Sequence, residues 1–328
     1  MQIGRLGKSL KEKFDYDVTG LPAWTDNTMP NVITDVIENS NFLGRLTLEE
    51  NVKGTLEIAL LNADVTLQAK VACTPSPDGS VIFTKENLTT VPLYMGIEFC
   101  NEDLNTKMTQ VLNALGLKRQ DGQLPAPLED ILMAYLLKNL QRKAQRLVIL
   151  GDTTSLDAEL ALMNGLRYRI NNNTDVVDYM SAEASITASN AYAIAYGLFK
   201  TIPAELFDNG YTIDIFMGRD KALLVLEDWN NANPYSQVAI PAEVGTSMEF
   251  TLPLTNIKVI SLPELAGTNE MWALPLALTF LGVDALEDMS YEIKYDAYDD
   301  KLKAEASFRL GTQIVWGQYF TRLQLAVS

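Results

Sequence analysis

Two short stretches of this sequence carry residues that could bind a phosphate or a metal ion. Gly7-Lys8-Ser9 ends like a phosphate-binding loop, but the position where such a loop needs an earlier glycine holds Gln2, and no strand precedes it. Asp296, Asp299 and Asp300 could hold a divalent cation, yet their spacing differs from that of a calcium-binding loop. We therefore predict no nucleotide site and interpret the acidic cluster as a solvated turn.

A second group of residues could support acid–base or nucleophilic chemistry. Asp214 or Glu227 could act in a carboxylate-dependent α/β enzyme, and Cys73 and Cys100 are the two thiols. The chain contains no histidine, which removes the commonest general base, the usual zinc ligand and every imidazole-dependent triad. No nucleophile elbow, zinc-protease motif or paired Cys-x-x-Cys motif occurs. We predict a protein that is not an enzyme, holds no metal or cofactor, and keeps both thiols free.

The composition is that of a folded protein without affinity for nucleic acid. Of the 328 residues, 47% are hydrophobic and 21% are charged. There are 42 acidic and 26 basic residues, so the formal net charge is −16, which disfavours direct wrapping of nucleic acid. No apolar run reaches membrane-spanning length, and the first residues lack the apolar core of a signal peptide. We expect the chain to remain in a cytosol-like compartment and away from membranes.

One long helix is the element on which the other predictions depend. The stretch from Leu124 to Asp152 has proline near its start, acidic residues in its first turn and Gly151 after its end, which predicts a helix over 127–150. Such a helix is roughly 36 Å long at about 1.5 Å per residue. Apolar residues recur at spacings of three and four, so one face is buried. Basic residues follow in its second half: Lys138, Arg142 and Arg146.

A long hairpin precedes the helix. Alternating apolar residues predict a strand over 55–73, with a break at 62–64, and the proline and glycine of 74–80 predict a turn whose tip lies near Asp78 and Gly79. The chain then returns in two strand segments: 81–84 and 90–99. Because a two-stranded hairpin is marginal in water by itself, we expect it to rest on another subunit.

The first 52 residues also lack the composition to form a core of their own. They combine early basic residues with turn formers and a few apolar anchors such as Trp24. This composition predicts an extended arm, and an arm of this kind must lie on something else to be ordered. We therefore expect neighbouring subunits to hold it.

The remainder of the chain predicts a mixed architecture. A capping pattern after the long helix predicts a further helix over 154–164. Strands then alternate with helices over 176–289, which indicates a compact α/β region. Cleanly alternating strands begin at Ser290, and we expect 313–327 to close the same sheet. The fold class is therefore α+β.

The order of these parts resembles the major capsid protein of tailed double-stranded DNA bacteriophages, which has the fold named for phage Hong Kong ninety-seven. The stretches that carry the resemblance are TTVPLYMGIEFCNEDL before the long helix, RLVILGDTTS at its end, and DALEDMSYEIKYDAYDDKLKAEASFRLGTQIVW near the C-terminus. The resemblance extends over essentially the whole chain. The lysine and asparagine that cross-link some members have no recognisable counterpart.

The resemblance implies a division of the chain into five segments. These are an N-terminal arm (1–52), an extended loop formed by the hairpin (53–100), a peripheral domain with the spine helix 127–150 (101–175), an axial domain (176–289), and return strands of the peripheral domain with the C-terminus (290–328).

The function implied is a structural one. Hexamers and pentamers of such a protein build an icosahedral shell that encloses double-stranded DNA in the virion, after assembly in the host cytoplasm with portal, scaffolding and decoration proteins. The expected assembly contacts are Trp24, Asp78, Gly79, Lys138, Arg142 and Arg146. Two alternatives remain open: an encapsulin-like compartment loaded with protein, and the carboxylate enzyme.

Overall fold

The computed structural model describes residues 40, 42–65, 79–100, 128–236, 238–239, 248–284, 290–296 and 301–326. The chain divides into two compact units. The first comprises Met1–Ser40, Pro92–Ala144 and Asp284–Arg309, and the second comprises Asn41–Val91, Gln145–Val283 and Leu310–Ser328. No helix in the described ranges is both long enough and apolar enough to span a membrane.

The helices are α1 (Leu128–Leu150), α2 (Leu166–Asn172), α3 (Ala191–Thr201), α4 (Ala204–Asp208) and α5 (Arg219–Ala232). The strands are β1 (Thr47–Glu49), β2 (Thr55–Val65), β3 (Gly79–Thr89), β4 (Val91–Cys100), β5 (Val177–Met180), β6 (Ile213–Gly218), β7 (Glu249–Thr251), β8 (Lys258–Leu262), β9 (Met271–Pro275), β10 (Thr279–Val283), β11 (Ser290–Asp296), β12 (Lys301–Ile314) and β13 (Thr321–Gln324).

The core of the second unit is a mixed six-stranded sheet in the order β5-β13-β9-β6-β8-β7. All six residues of β6 are buried, as expected for a central strand covered on both faces. Helices α3 and α5 cover one face, where Leu198 and Val225 pack in the same cluster as Ile215 and Met217 of β6. Burial of these aliphatic side chains is the main stabilising contribution to this unit.

The segment that precedes β1 packs on the other face of this sheet. Phe216 alternates with Ile215 and Met217 along β6, so its side chain points away from the helices. The ring of Phe42 meets that of Phe216 edge to face, with centroids 5.4 Å apart. Arg45 forms an ion pair with Glu249 of β7. The chain is therefore anchored to the sheet immediately after its first forty residues.

The second unit also contains the pairing of β10 with its neighbours. Strand β1 lies parallel to β10, and β10 runs antiparallel to residues 310–314 of β12. In the first unit, β11 pairs antiparallel with residues 301–307 of β12. Strand β4 also pairs with β12, and Lys301 Nζ lies 3.0 Å from Glu98 Oε2 in the first unit. The α+β class predicted from the sequence is confirmed.

The long helix and most strands lie where the sequence predicts them, with three corrections. Strand β2 is continuous through 62–64, because these residues pair with Ser80–Ile82 of β3, so the predicted break is wrong. The segment 154–164 forms turns and a short 3-10 helix instead of the predicted helix. The Asp152 carboxylate accepts hydrogen bonds from the amide and hydroxyl of Thr154, which favours a turn over a first helical turn.

The third correction concerns the C-terminus. Strand β13 joins the six-stranded sheet, between β5 and β9, and does not close the sheet of β11 and β12. Trp316 has a φ of +55°, in the left-handed region, and the 3-10 turn Gly317–Tyr319 follows it. This turn redirects the chain after β12. The five predicted segment boundaries stay predictions.

Candidate assembly surface

The hairpin of β2 and β3 carries several exposed large apolar side chains in the second unit. Its strands pair without interruption from Thr55 opposite Thr89 to Val65 opposite Gly79. Each strand has 11 residues, which corresponds to roughly 35 Å at about 3.4 Å per residue. Its two ends differ in burial, so we describe them as the base, next to Thr55 and Thr89, and the distal half, in which the described side chains are those of Leu61 and Val81 to Phe83.

The base is held by hydrogen bonds around one buried threonine. Thr90 donates from its amide to Gly54 O at 2.7 Å and from its hydroxyl to Val52 O at 2.7 Å. Val52 in turn donates its amide to Val283 O at 2.9 Å. Thr90 is buried, and Leu88 beside it has no exposed surface. The base therefore has a fixed attachment to β10.

Two glycines let the base approach the sheet closely. A Cβ atom on Gly311 of β12 would lie 2.2 Å from Thr89 O, which no side chain could tolerate without a backbone shift. A Cβ atom on Gly282 of β10 would lie 3.0 Å from side-chain carbons of Leu88 and Thr90. The absence of a side chain at both positions is what brings the backbone of the hairpin against the sheet.

The two faces of the hairpin differ along its length. Alternation places Leu60, Glu86 and Leu88 on one face, which we call the inner face, and Leu61, Phe83 and Lys85 on the outer face. The inner face is buried at Leu88 and at Leu60. Further towards the tip this burial stops, since Ile82, also on the inner face, is 56% exposed.

The distal half therefore presents apolar side chains on both faces. Phe83 is 76% exposed, and its cross-strand partner Leu61 is also exposed. Val81 lies beside Phe83 on the outer face, and Ile82 lies on the inner face, and both are exposed. Clustered exposed apolar side chains of this size are typical of a protein interface. We call Leu61, Val81, Ile82 and Phe83 the distal apolar patch.

The predicted turn at the hairpin tip needs a correction, and the predicted contact there stays a prediction. Gly79 is the first residue of β3 and pairs with Val65, so it belongs to a strand and not to the turn. Asp78 and Trp24 lie outside the described residues. The sequence analysis did not select the distal apolar patch as a contact. A signal was present, because three consecutive apolar residues, 81–83, cannot all face one side of a strand.

The basic residues of α1 differ in their surroundings. Lys138 and Arg142 are exposed in the first unit, where Arg142 donates to Asn139 Oδ1 at 3.3 Å. Arg146, in the second unit, has Nη2 3.0 Å from Asp157 Oδ2 and Nη1 3.5 Å from Glu159 Oε2. Arg146 therefore has acidic partners within its own subunit. An intersubunit role for these three residues stays a prediction.

The two carboxylates proposed for an enzyme occupy different environments. Asp214 is buried in the central strand β6, and its Oδ1 has no hydrogen-bond partner among the described residues. Burial raises the pKa of Asp214, and the charges of Arg45 and Lys258 oppose that shift. Glu227 is exposed on α5. Among the described residues, no three acidic or thiol side chains are grouped as a metal site would require, and the acidic side chains near residue 300 lie outside that part.

Comparison with known proteins gives matches in structure only. No protein-family model and no curated protein matches the sequence. A chain of the satellite phage P4 procapsid that includes a size determination protein superimposes with a TM-score of 0.57 and 11% identity, covering 90% of this chain and 99% of that one. A capsid chain of a native GTA particle gives a TM-score of 0.58 and 10% identity over 89% and 90% of the two chains.

The capsid of Myoviridae phage XM1 supplies a third example, with a TM-score of 0.53 and 11% identity over 88% of this chain and 92% of that chain. The similarity therefore extends over nearly the full length of both partners in each comparison, although the sequences have diverged widely. It is this similarity over about nine-tenths of each chain that defines the chain as one with the Hong Kong ninety-seven-type capsid fold.

Proposed function

We propose that this chain is the major capsid protein of a tailed phage or a GTA-like particle and that its copies form an icosahedral shell. The observation that carries the proposal is the fold, because it matches capsid chains over about nine-tenths of this chain and of theirs. The function is structural and the protein is a component of the virion. A shell protein needs no general base, so the absence of histidine has no cost for it.

The distal apolar patch supplies the contact that assembly requires. Four exposed apolar side chains at the far end of a hairpin are unfavourable in a free subunit, and burial against a second copy would remove that cost. The base is attached to its own subunit through Thr90, Gly282 and Gly311, so the hairpin can reach outwards without unfolding. A contact between the patch and a different surface of the next copy is heterologous, and such contacts form rings when the rotation between copies closes.

The finer organisation follows from the same proposal. Residues 176–289 form the axial domain at the centre of hexameric and pentameric capsomers, and 101–175 with 290–328 form the peripheral domain. Residues 1–52 form an arm that lies on neighbouring subunits, and 53–100 form the extended loop. The chain works with portal, scaffolding and decoration proteins, and encloses double-stranded DNA without reading its sequence.

The charge of the chain suits this role. The formal net charge is −16, and like charges repel the phosphates of duplex DNA. A shell with this charge does not bind the packaged genome tightly at its wall. Genome and shell can then be brought together and separated without breaking many ion pairs.

Expression of the full chain tests the proposal. We expect capsomers or closed shells in electron micrographs, and a sedimentation coefficient far above that of a 36.4 kDa monomer. A monodisperse monomer at every protein and salt concentration would contradict the proposal. Nuclease-resistant DNA inside particles from infected cells supports a phage or GTA-like shell, whereas an enzyme held inside by a short tail would indicate an encapsulin-like compartment.

A further inference from the structure

The inner face at the base of the hairpin carries a polar contact where an apolar one would be expected. Glu86 of β3 lies on this face, next in alternation to the fully buried Leu88. Gln313 of β12 donates from Nε2 to Glu86 Oε2 at 2.9 Å. Gln313 is only 7% exposed and Glu86 is half-buried, so this hydrogen bond to a charged group is partly shielded from water.

A third side chain interacts with the same carboxylate through its charge. Arg169 of α2 is attracted electrostatically to Glu86. Burial lowers the pKa of the Arg169 guanidinium below its ordinary value, and the interactions with Tyr168 and Glu86 oppose that shift. A guanidinium nevertheless stays charged in a protein. In the polar cluster of Glu86, Gln313 and Arg169, the hydrogen bond joins the hairpin to a strand of the sheet beneath it, and Arg169 of α2 adds an electrostatic attraction to Glu86.

The cluster is incompletely satisfied. Arg169 Nε and Gln313 Oε1 are both buried and have no hydrogen-bond partner among the described residues. A buried polar group in this condition contributes little to stability, and well-packed apolar side chains could replace it at no loss. Hydrogen bonds differ from apolar packing in their dependence on angle, because they weaken steeply when the angle at the hydrogen atom changes. This argues for a role in geometry more than in stability.

We propose that Glu86 and Gln313 are positioning residues whose hydrogen bond sets the angle at which the hairpin leaves the sheet. The proposal rests on the proposed function, because the angle determines whether the distal apolar patch reaches the neighbouring copy. Because the hairpin is roughly 35 Å long, a tilt of about 10° at its base would displace its far end by roughly 6 Å. A displacement of that size is enough to separate two apolar surfaces that must be in van der Waals contact.

Three single variants of the full chain test this proposal. Glu86→Ala removes the acceptor of the hydrogen bond, and Glu86→Gln keeps an acceptor oxygen but removes the charge. Lys85→Ala is the matched control, because Lys85 is adjacent in the same strand but on the outer face, where it pairs with Glu57 at 2.6 Å. The measurements are amide hydrogen exchange of residues 84–91 in unassembled protein, the melting temperature, and the yield and diameter of shells.

In Glu86→Ala we expect exchange of these amides about tenfold faster, as the loss of one hydrogen bond to a charged group would give. We also expect a melting temperature lower by about 3 °C, because the buried Nε2 of Gln313 loses its acceptor, and a lower yield or an irregular diameter of shells. In Glu86→Gln we expect amide exchange and shell yield close to those of the parent protein. In Lys85→Ala we expect both to match the parent protein. Should Glu86→Ala not fold, Gln313→Leu breaks the same hydrogen bond with a side chain of similar size.

Two outcomes would overturn the proposal. One is normal exchange in Glu86→Ala, and the other is accelerated exchange accompanied by shells of normal yield and diameter. If the parent chain itself forms no shells, the proposed function fails, while the exchange measurement still decides whether the cluster holds the hairpin. The two failures can therefore be told apart.

Discussion

The base and the distal half of the β2–β3 hairpin share one secondary structure and one continuous register, yet they face opposite environments. At the base, Leu88 has no exposed surface, whereas Phe83, five residues along the same strand, is 76% exposed. The difference arises from what lies beneath each end, because Gly282 and Gly311 bring the sheet against the base alone. The base therefore serves folding of the subunit, and the distal half is available for assembly.

The largest effect is expected from a charge in the distal apolar patch. Phe83→Asp should leave the melting temperature of the unassembled subunit unchanged, because Phe83 is already exposed. It should lower the yield of shells more than about tenfold, since a buried aromatic contact commonly contributes 2 kcal/mol or more to an interface. Asn87→Asp is the control, because it places the same charge on the same outer face near the base. If Phe83→Asp gave shells at a normal yield, the distal half would not be part of the interface.

A matched pair of leucines compares the two ends directly. Leu88→Ala should lower the free energy of unfolding by about 3 kcal/mol, as is usual for a buried leucine that leaves a cavity. Leu61→Ala is the same substitution at an exposed site and should alter the free energy of unfolding by less than about 0.5 kcal/mol. Urea unfolding of unassembled protein measures both. Equal losses would show that the two ends are equally buried.

A pair of threonines compares the hydrogen bonding of the base with that of the hairpin surface. Thr90→Val should lower the free energy of unfolding by about 2 kcal/mol, because it leaves the buried carbonyl of Val52 without the hydroxyl that donates to it at 2.7 Å. Thr55→Val removes an exposed hydrogen bond between the hydroxyls of Thr55 and Thr89 and should lower the free energy of unfolding by less than about 0.5 kcal/mol. The same unfolding assay applies. A small effect of Thr90→Val would mean that water reaches the base.

The smallest effect is expected for the cross-strand ion pair on the outer face. Both Lys85 and Glu57 are more than half exposed, so Lys85→Ala should lower the free energy of unfolding by no more than about 0.5 kcal/mol. The effect should diminish further as salt is added, because exposed charges are screened. A larger loss that persists in salt would indicate that the outer face of the base is covered.

Much of the fold follows from local patterns in the sequence. The apolar spacing of three and four places α1 within one residue of its predicted bounds, and strict alternation identifies β2 and β11. The patterns do not reveal the turn after Asp152, where a helix was predicted. The hydrogen bonds that the Asp152 carboxylate accepts from the amide and hydroxyl of Thr154 favour this turn. They also do not give the sheet to which β13 belongs, because a short alternating strand fits either one.

The candidate surface was predicted only in outline. The hairpin follows from the sequence, but Gly79 was placed at the tip and instead opens β3. The dependence of the hairpin on a neighbouring subunit stays a prediction. The run Val81-Ile82-Phe83 contains the information that some apolar side chains must stay exposed. It does not reveal which end of the hairpin is covered, because that depends on residues distant along the chain.

The sequence by itself determined the presence of the long helix α1, the presence of a long hairpin, the acidic charge and the absence of histidine, since each depends only on residue type and short-range spacing. The tertiary structure alone decided that the base is covered and the distal half is not. The reason is physical: burial at Leu88 and Thr90 depends on the missing side chains of Gly282 and Gly311, which approach the hairpin only when the chain has folded.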